Sequence, residues 1–224
     1  MPSTNAPLVV TVPDQGLLDG VGAPPTGIEV RFWPLAGPPD AAAEIDVVVP
    51  PYLTGPRGLE LLVGLPNLKL VQTLTAGYEH ALPYLPDGVA LANAPGVHDA
   101  STAELAVALT LAVLRGLPDF VRAQDQGRWV ADETIRRRAL ADQRVLVVGF
   151  GGVGRAVARR MLAFETTVTA VATRPRAAGP DGVPVHGVVE LPELLPRHDV
   201  VVLATPLNDA TRGLVDAAFL AAMP

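Results

Sequence analysis

The chain has 224 residues, of which 49% are hydrophobic and 18% charged, with a formal net charge of −6. That length suits one large domain or two modest ones, and the apolar share can build a core, which excludes a disordered chain. The 17 basic residues are scattered arginines apart from Lys69, and the densest run, Arg136-Arg137-Arg138, reads as a solvated loop or helix face, so nucleic-acid binding is disfavoured.

In the first hundred residues, short apolar runs alternate with turn clusters. Strands are predicted at 8–12, 28–33, 45–49, 68–74 and 89–92, with a helix near 57–63. Proline pairs at Pro24-Pro25, Pro38-Pro39 and Pro50-Pro51 mark loops. Apolar strands separated by crossovers argue for a parallel sheet covered on both faces.

A boundary is expected near residues 96–100. Beyond it, Ser101, Thr102, Ala103 and Glu104 form a capping-box pattern that predicts a helix running to about Gly116. That helix is apolar on nearly every side and is expected to be covered by protein all round. Its longest apolar stretch, 105–114, falls well short of the ~20 residues a bilayer span needs. No basic region followed by an apolar core opens the chain, so no secretory signal is read. A second helix is expected at 118–127, followed by an arginine-rich connector.

Val145 to Val148 form an apolar run that enters Gly149-Phe150-Gly151-Gly152-Val153-Gly154 directly, and a helical pattern at 155–162 follows. The three spaced glycines match the dinucleotide fingerprint in its strand–turn–helix setting. Gly149 permits the tight turn, Gly151 lets backbone approach a pyrophosphate, and Gly154 lets helix and strand sit close. The amides of Gly152 and Val153 and the positive helix end would face the phosphates. Strands at 168–171 and 200–204 and a helix at 191–195 complete a βαβαβ pattern, and residues 216–222 begin a further helix.

Together these segments resemble the D-isomer-specific 2-hydroxyacid dehydrogenases over essentially the whole chain. Gln72-Thr73-Leu74-Thr75-Ala76-Gly77 is similar to the family's substrate-carboxylate loop. Asn93-Ala94-Pro95-Gly96-Val97 with Ser101 to Leu105 resembles the approach to its interdomain helix. Ala204-Thr205-Pro206-Leu207 with Thr211-Arg212-Gly213-Leu214 resembles the loop lining its cofactor. The resemblance implies an α/β protein of two doubly wound parallel-sheet domains, a flavodoxin-like substrate domain at 1–98 and a Rossmann NAD(P)-binding domain at 99–224. The second is incomplete relative to the family.

The implied activity is hydride transfer between a nicotinamide cofactor and a 2-keto or 2-hydroxy acid, of the glyoxylate/hydroxypyruvate reductase or phosphoglycerate dehydrogenase kind. By the same resemblance, the amides of Ala76 and Gly77 grip the substrate carboxylate, flanked by Thr75. Thr102, Thr205, Pro206 and Thr211 line the cofactor. A homodimer through the cofactor domain is implied too, and the absence of cysteine fits a cytoplasmic setting.

Cofactor choice is read from charge. An NAD-preferring site places an acid near the end of the second strand to hold the ribose 2′-hydroxyl. Ala172 occupies that position here, followed by Thr173, Arg174 and Arg176, so NADP(H) is expected over NAD(H). The family's catalytic arginine, glutamate and histidine are expected beyond Pro224, and none of the present histidines is nominated. His80 follows the substrate loop, His98 is a hinge or capping residue, and His186 lies in a connector. His198 is expected to pair with Glu193 or Asp199 on the surface.

In the strand order 3-2-1-4-5-6, the Val145 strand is central. Without strands four to six one of its edges is expected to be bare, so the chain is expected to be part of a longer enzyme or poorly stable alone. The alternative reading is a catalytically inert dinucleotide-binding protein; a third is a nucleotide-dependent enzyme of other chemistry, such as a methyltransferase.

Overall fold

A computed structural model of the chain describes residues 6–130, 137–178 and 181–224. These fall into two compact units, Met1–Val97 and His98–Pro224.

The first unit is built on β1 (Leu8–Val12), α1 (Gln15–Val21), β2 (Ile28–Phe32), β3 (Ile45–Val48), α2 (Pro56–Leu59), β4 (Leu70–Gln72) and β5 (Ala90–Ala92). Its five strands are all parallel, in the order β2-β1-β3-β4-β5. This is the flavodoxin-like order, in which ligands bind outside the carboxyl ends of the strands. Val9, Ile45, Val48, Val71, Leu59 and Leu62 form its core with Trp33 and Leu65. A register shift between Val9 and Val10 interrupts the β1–β3 ladder. There the Asp46 carboxylate accepts the Val9 amide at 2.9 Å and pairs with Lys69 at 2.7 Å.

Two features here differ from the sequence reading. The helix α1 was not expected, because seven residues containing two glycines carry little helical signal; Asp14 starts it by accepting the Leu17 amide at 2.8 Å. The helix at 57–63 tightens after Leu59 into a 3₁₀ segment, Glu60–Gly64.

The second unit contains α3 (Asp99–Arg115), α4 (Leu117–Asp125), β6 (Arg144–Val148), α5 (Gly152–Leu162), β7 (Thr167–Ala172), β8 (Val185–Gly187), α6 (Leu191–Leu194), β9 (Val200–Leu203) and α7 (Ala217–Ala221). Its parallel strands run β8-β7-β6-β9. Alternation along β6 divides the core. Val145 and Val147 join Ala103, Val107, Val157 and Met161 on one face. Leu146 and Val148 join Leu191, Leu194, Leu195 and Phe219 on the other. Both faces are therefore covered, as a parallel sheet requires.

The strand β8 corrects the reading of the fold. A Val-His-Gly triplet is too short and polar to be legible, yet it is the third strand, and 200–203 is the fourth. The strand β6 consequently has neighbours on both sides, β7 and β9. The edge expected to be bare belongs to β9, not to the Val145 strand.

The capping box is also corrected. The helix α3 begins at Asp99, so Ser101 to Glu104 lie inside it. Ser101 Oγ donates to the His98 carbonyl at 3.3 Å, and Glu104 is held by Arg160 on α5 at 2.9 Å. Nor is α3 covered all round: Ala103 and Val107 are buried, while Leu105, Leu109 and Val113 are 60%, 57% and 74% exposed. No single helix among the described residues is long and apolar enough to cross a membrane; α3 and α4 reach that length only together, across a 68° bend.

The arginine run is only in part solvated. Arg136 lies outside the described residues. Arg137 pairs with Asp119 at 3.1 Å and stacks 5.3 Å from the Phe120 ring centroid, whereas Arg138 is exposed. His186 lies on β8 and contacts Glu190 at 2.7 Å. His198 is buried, its ring nitrogen 2.6 Å from the Leu194 carbonyl, so it is not a surface partner of Glu193 or Asp199.

Asp199 instead fastens the start of β9 to β6. It accepts the Arg144 amide, Nε and Nη2, each at 2.9 Å. These bonds hold its carboxyl well below the usual carboxylate range. A lowered folded-state pKa adds stability above the unfolded value, and that stability is lost as pH falls below about 4. Asp199→Asn is expected to lower stability by about 1 kcal/mol at pH 7, given partial exposure of the pair. Urea denaturation at pH 7 and pH 3 would show the gap between wild type and variant closing at the acidic end.

Candidate functional site

The turn after β6 is made almost wholly of backbone. Gly149 has φ +98°, a conformation that side-chain-bearing residues rarely adopt, and its missing Cβ leaves room for the Ala204 carbonyl. Gly154 allows close packing of another kind: a Cβ there would strike the Gly149 carbonyl and lie 3.3 Å from Val147. The ladder continues into the turn from both sides, with the Gly149 amide donating to Val171 at 2.8 Å and the Ala204 amide to Val148 at 2.7 Å. The turn thus opens between β7 and β9, where the strand order reverses. In open parallel sheets this is where ligands bind.

The helix α5 starts with no side-chain cap at Gly151. The amides of Gly152 and Val153 find no acceptor among the described residues outside the helix. Nothing stands within 4 Å of the Cβ position of Gly151. Free donors at a positive helix end, with open space beside Gly151, make an anion site.

A cavity of about 450 Å³ adjoins this turn. Gly149, Phe150, Gly151, Thr173, Arg174, Arg176, Thr205, Pro206 and Thr211 contribute to its wall. The sequence-derived residues near strand ends therefore gather in one place. Arg174 is exposed and forms no ion pair among the described residues. Arg176 is more tightly placed: its guanidinium lies 5.4 Å from the Phe150 ring centroid and donates to the Phe150 carbonyl at 3.4 Å. Thr211 is committed within its own loop, donating to the Pro206 carbonyl at 2.6 Å and accepting the Asn208 amide at 2.9 Å. Thr102 is exposed on the first turns of α3. The cradle, the free amides and the arginines fit the two phosphates and ribose of a dinucleotide. The wall also includes Leu214, from the loop that resembles the cofactor lining, together with Val188, Leu191 and Asn208, which no motif marked, because they come from loops and a helix face rather than strand ends.

The first unit has its own polar loop, at the carboxyl end of β4. Thr75 is buried and donates to the Gly77 carbonyl at 2.6 Å, closing the turn. Asn93 donates to the Ala76 carbonyl at 2.6 Å, and the Ala94 amide to Thr75 at 3.0 Å. The Tyr78 amide donates to the Glu79 carboxylate at 2.9 Å. The amides of Ala76 and Gly77 have no acceptor among the described residues. Carbonyls are tied back and amides left free, the polarity a carboxylate ligand needs. His80 is exposed beside this loop, and His98 is the N-cap residue of α3, its carbonyl receiving the Thr102 amide at 3.0 Å.

Comparison with known proteins places this geometry in a lineage. Residues 107–224 match the family described as "D-isomer specific 2-hydroxyacid dehydrogenase, NAD binding domain". The human protein "Glyoxylate reductase/hydroxypyruvate reductase" is 32% identical over 164 residues, 70% of this chain and 49% of its own length. "Erythronate-4-phosphate dehydrogenase" of Salinibacter ruber is 36% identical over 185 residues, 80% of this chain and 42% of its own. The chain thus spans about half the length of the curated relatives it matches.

Among solved structures, a D-isomer specific 2-hydroxyacid dehydrogenase from Xanthobacter autotrophicus Py2, in complex with NADPH and MES, is 28% identical. Its TM-score is 0.76, covering 98% of this chain and 70% of that one. An NADPH-dependent glyoxylate/hydroxypyruvate reductase from Sinorhizobium meliloti, in complex with NADP and sulfate, is 27% identical. It also has a TM-score of 0.76, over 97% of this chain and 68% of that one. A backbone-lined turn at the switch point of a parallel sheet and a matched cofactor domain lead to one assignment: the chain belongs to the D-isomer specific 2-hydroxyacid dehydrogenase family.

Proposed function

We propose that the chain binds NADP(H) in preference to NAD(H) and serves a reductase of small 2-keto acids, of the glyoxylate or hydroxypyruvate kind. The observation that carries this reading is the set of free amides opening α5 at the switch point of the sheet, beside two arginines. Residues 99–224 are the cofactor domain and 1–98 the substrate domain. Gly149, Gly151 and Gly154 shape the turn, and the amides of Gly152 and Val153 hold the pyrophosphate. Thr173 and Arg174 meet the 2′-phosphate, with Ala172 standing where an acid would repel it. Thr205, Pro206 and the loop held by Thr211 form the opposite wall, and Thr102 borders it. When bound, the nicotinamide supplies or accepts the hydride at C2 of the acid. The amides of Ala76 and Gly77 orient the substrate carboxylate, in a turn fixed by Thr75.

Support for a phosphate-bearing cofactor comes from the complexes of the Xanthobacter and Sinorhizobium proteins with NADPH and NADP. Support for the substrate class comes from the names of the human and Sinorhizobium proteins. Fluorescence titration of the chain is expected to give tighter binding of NADPH than of NADH. Arg174→Ala should weaken NADPH binding roughly ten- to hundredfold and NADH binding little. Tighter NADH binding that ignores the substitution overturns the NADP(H) preference. Oxidation of bound NADPH by glyoxylate or hydroxypyruvate tests the reaction; binding without oxidation assigns the chain to the inert dinucleotide-binding class instead.

The functional unit is a cytoplasmic homodimer through the cofactor domain. Leu105, Leu109 and Val113 recur at helical spacing on α3, all more than half exposed, and Leu117 and Val121 extend the apolar surface on α4. Such a stripe on one unit is a self-complementary patch for a twofold partner. Sedimentation equilibrium should return the mass of two chains, and Leu109→Glu that of one. A single-chain mass for the unaltered protein at tens of micromolar rejects the dimer.

A further inference from the structure

The fingerprint holds a glycine that dinucleotide recognition does not demand. Gly152 occupies a variable position of the G-x-G-x-x-G pattern. As the first residue of α5 it has ordinary helical backbone, without the positive φ that marks Gly149. What stands against it is Asp99. A Cβ built on Gly152 would run into the Asp99 carboxylate, meeting Oδ2 first, then Cγ at 2.8 Å and Oδ1 at 2.9 Å. Asp99 is the first residue of α3, which packs along α5 through Ala103 and Val107. Its carboxylate is partly buried and has no hydrogen-bond or ion-pair partner among the described residues. An acid side chain therefore rests against the positive end of α5, at the residue whose amide is free.

We propose that Asp99 is an internal stand-in for the pyrophosphate, which offsets the positive end of α5 before nucleotide binds and lowers the affinity of the cofactor site by repelling the phosphates. This rests on the dinucleotide reading of that site. A carboxylate against Gly152 and a phosphate held by the amides of Gly152 and Val153 are neighbours within a few ångströms. Like charges so close, partly screened by water, reduce affinity by roughly five- to twentyfold. Before binding, the same carboxylate is favourable, because an anion compensates a helix start that has no side-chain cap. The two effects of Asp99 have opposite signs. A residue that merely begins α3 well would aid folding and leave nucleotide affinity alone.

The experiment uses the full chain and two readouts. Asp99→Asn keeps the shape of the side chain and removes its charge. It should tighten NADPH and NADH binding alike by roughly five- to twentyfold, measured by fluorescence titration, while lowering the melting temperature of the nucleotide-free protein. Unchanged or weaker binding of both nucleotides overturns the proposal. The contact itself is tested without nucleotide by a double-mutant cycle on thermal stability. Gly152→Ala should lower the melting temperature by several degrees in the unaltered chain and by much less in Asp99→Ala. Additive effects would overturn the contact. Failure of the unaltered chain to bind while Asp99→Asn binds is the extreme form of the expected result. Failure of both to bind, with a coupled cycle, removes the dinucleotide reading and the affinity-lowering role together but leaves the contact standing.

Discussion

The close approach of α5 to β6 is the constraint on which the rest of the second unit depends. Two backbones can meet there only because Gly149 turns with positive φ under the Ala204 carbonyl and Gly154 brings no Cβ against the Gly149 carbonyl. That approach aims the opening amides of α5 into the gap between β7 and β9. It also brings Val157 and Met161 into the core beneath α3. Any side chain at either glycine would push the helix outward, so the anion site and the packing of that face would fail together. Site and core are one piece of geometry here.

What could be read from the residues follows from how locally each feature is encoded. A parallel strand can be read from its own apolar run, so the buried β6 and the half-exposed edge strand β9 were legible from Val145 to Val148 and Val200 to Leu203. The glycine turn was legible because its demands are met by neighbours in sequence. The strand β8 was not, since Val185-His186-Gly187 is a strand only by pairing with β7 at Ala170 to Ala172. Missing it moved β9 to the wrong side of the sheet. The capping-box pattern at Ser101 misled for a related reason: Glu104 could have reached back to the backbone but is drawn across to Arg160 instead. A tertiary ion pair overrode a local signal. Likewise Thr173, Arg174, Thr205 and Pro206 could be found because they directly follow strand ends, whereas Asp99 reaches Gly152 only through the packing of α3 on α5.

Both units use the same device at their polar loops, although their sequences differ. At β4 the side chains of Thr75 and Asn93 bind carbonyls and leave the amides of Ala76 and Gly77 outward. At β6 the helix start leaves its amides free without any side chain. In each case the donor is backbone, which is fixed by the fold and cannot rotate away. Side-chain polarity serves mainly to hold carbonyls back.

A chain with net charge −6 that receives anions must overcome its own long-range field, and the magnitudes show how. At physiological ionic strength charges beyond about 8 Å are largely screened, so the overall balance bears on approach more than on the bound state. Within that distance the cavity presents amide dipoles together with Arg174 and Arg176, the latter held by the Phe150 ring and carbonyl. Stacking on an aromatic face leaves the edge of a guanidinium available to oxygen ligands. Two acidic groups, Asp199 and Asp46, are tied to Arg144 and Lys69 near the starts of strands, at the opposite ends from the ligand crevices. These two paired carboxylates stand toward the amino ends of their strands and the free amides at the carboxyl ends. The separation is incomplete: Glu79 and Glu190 accept backbone amides at the carboxyl ends of β4 and β8, and Asp99 rests on Gly152.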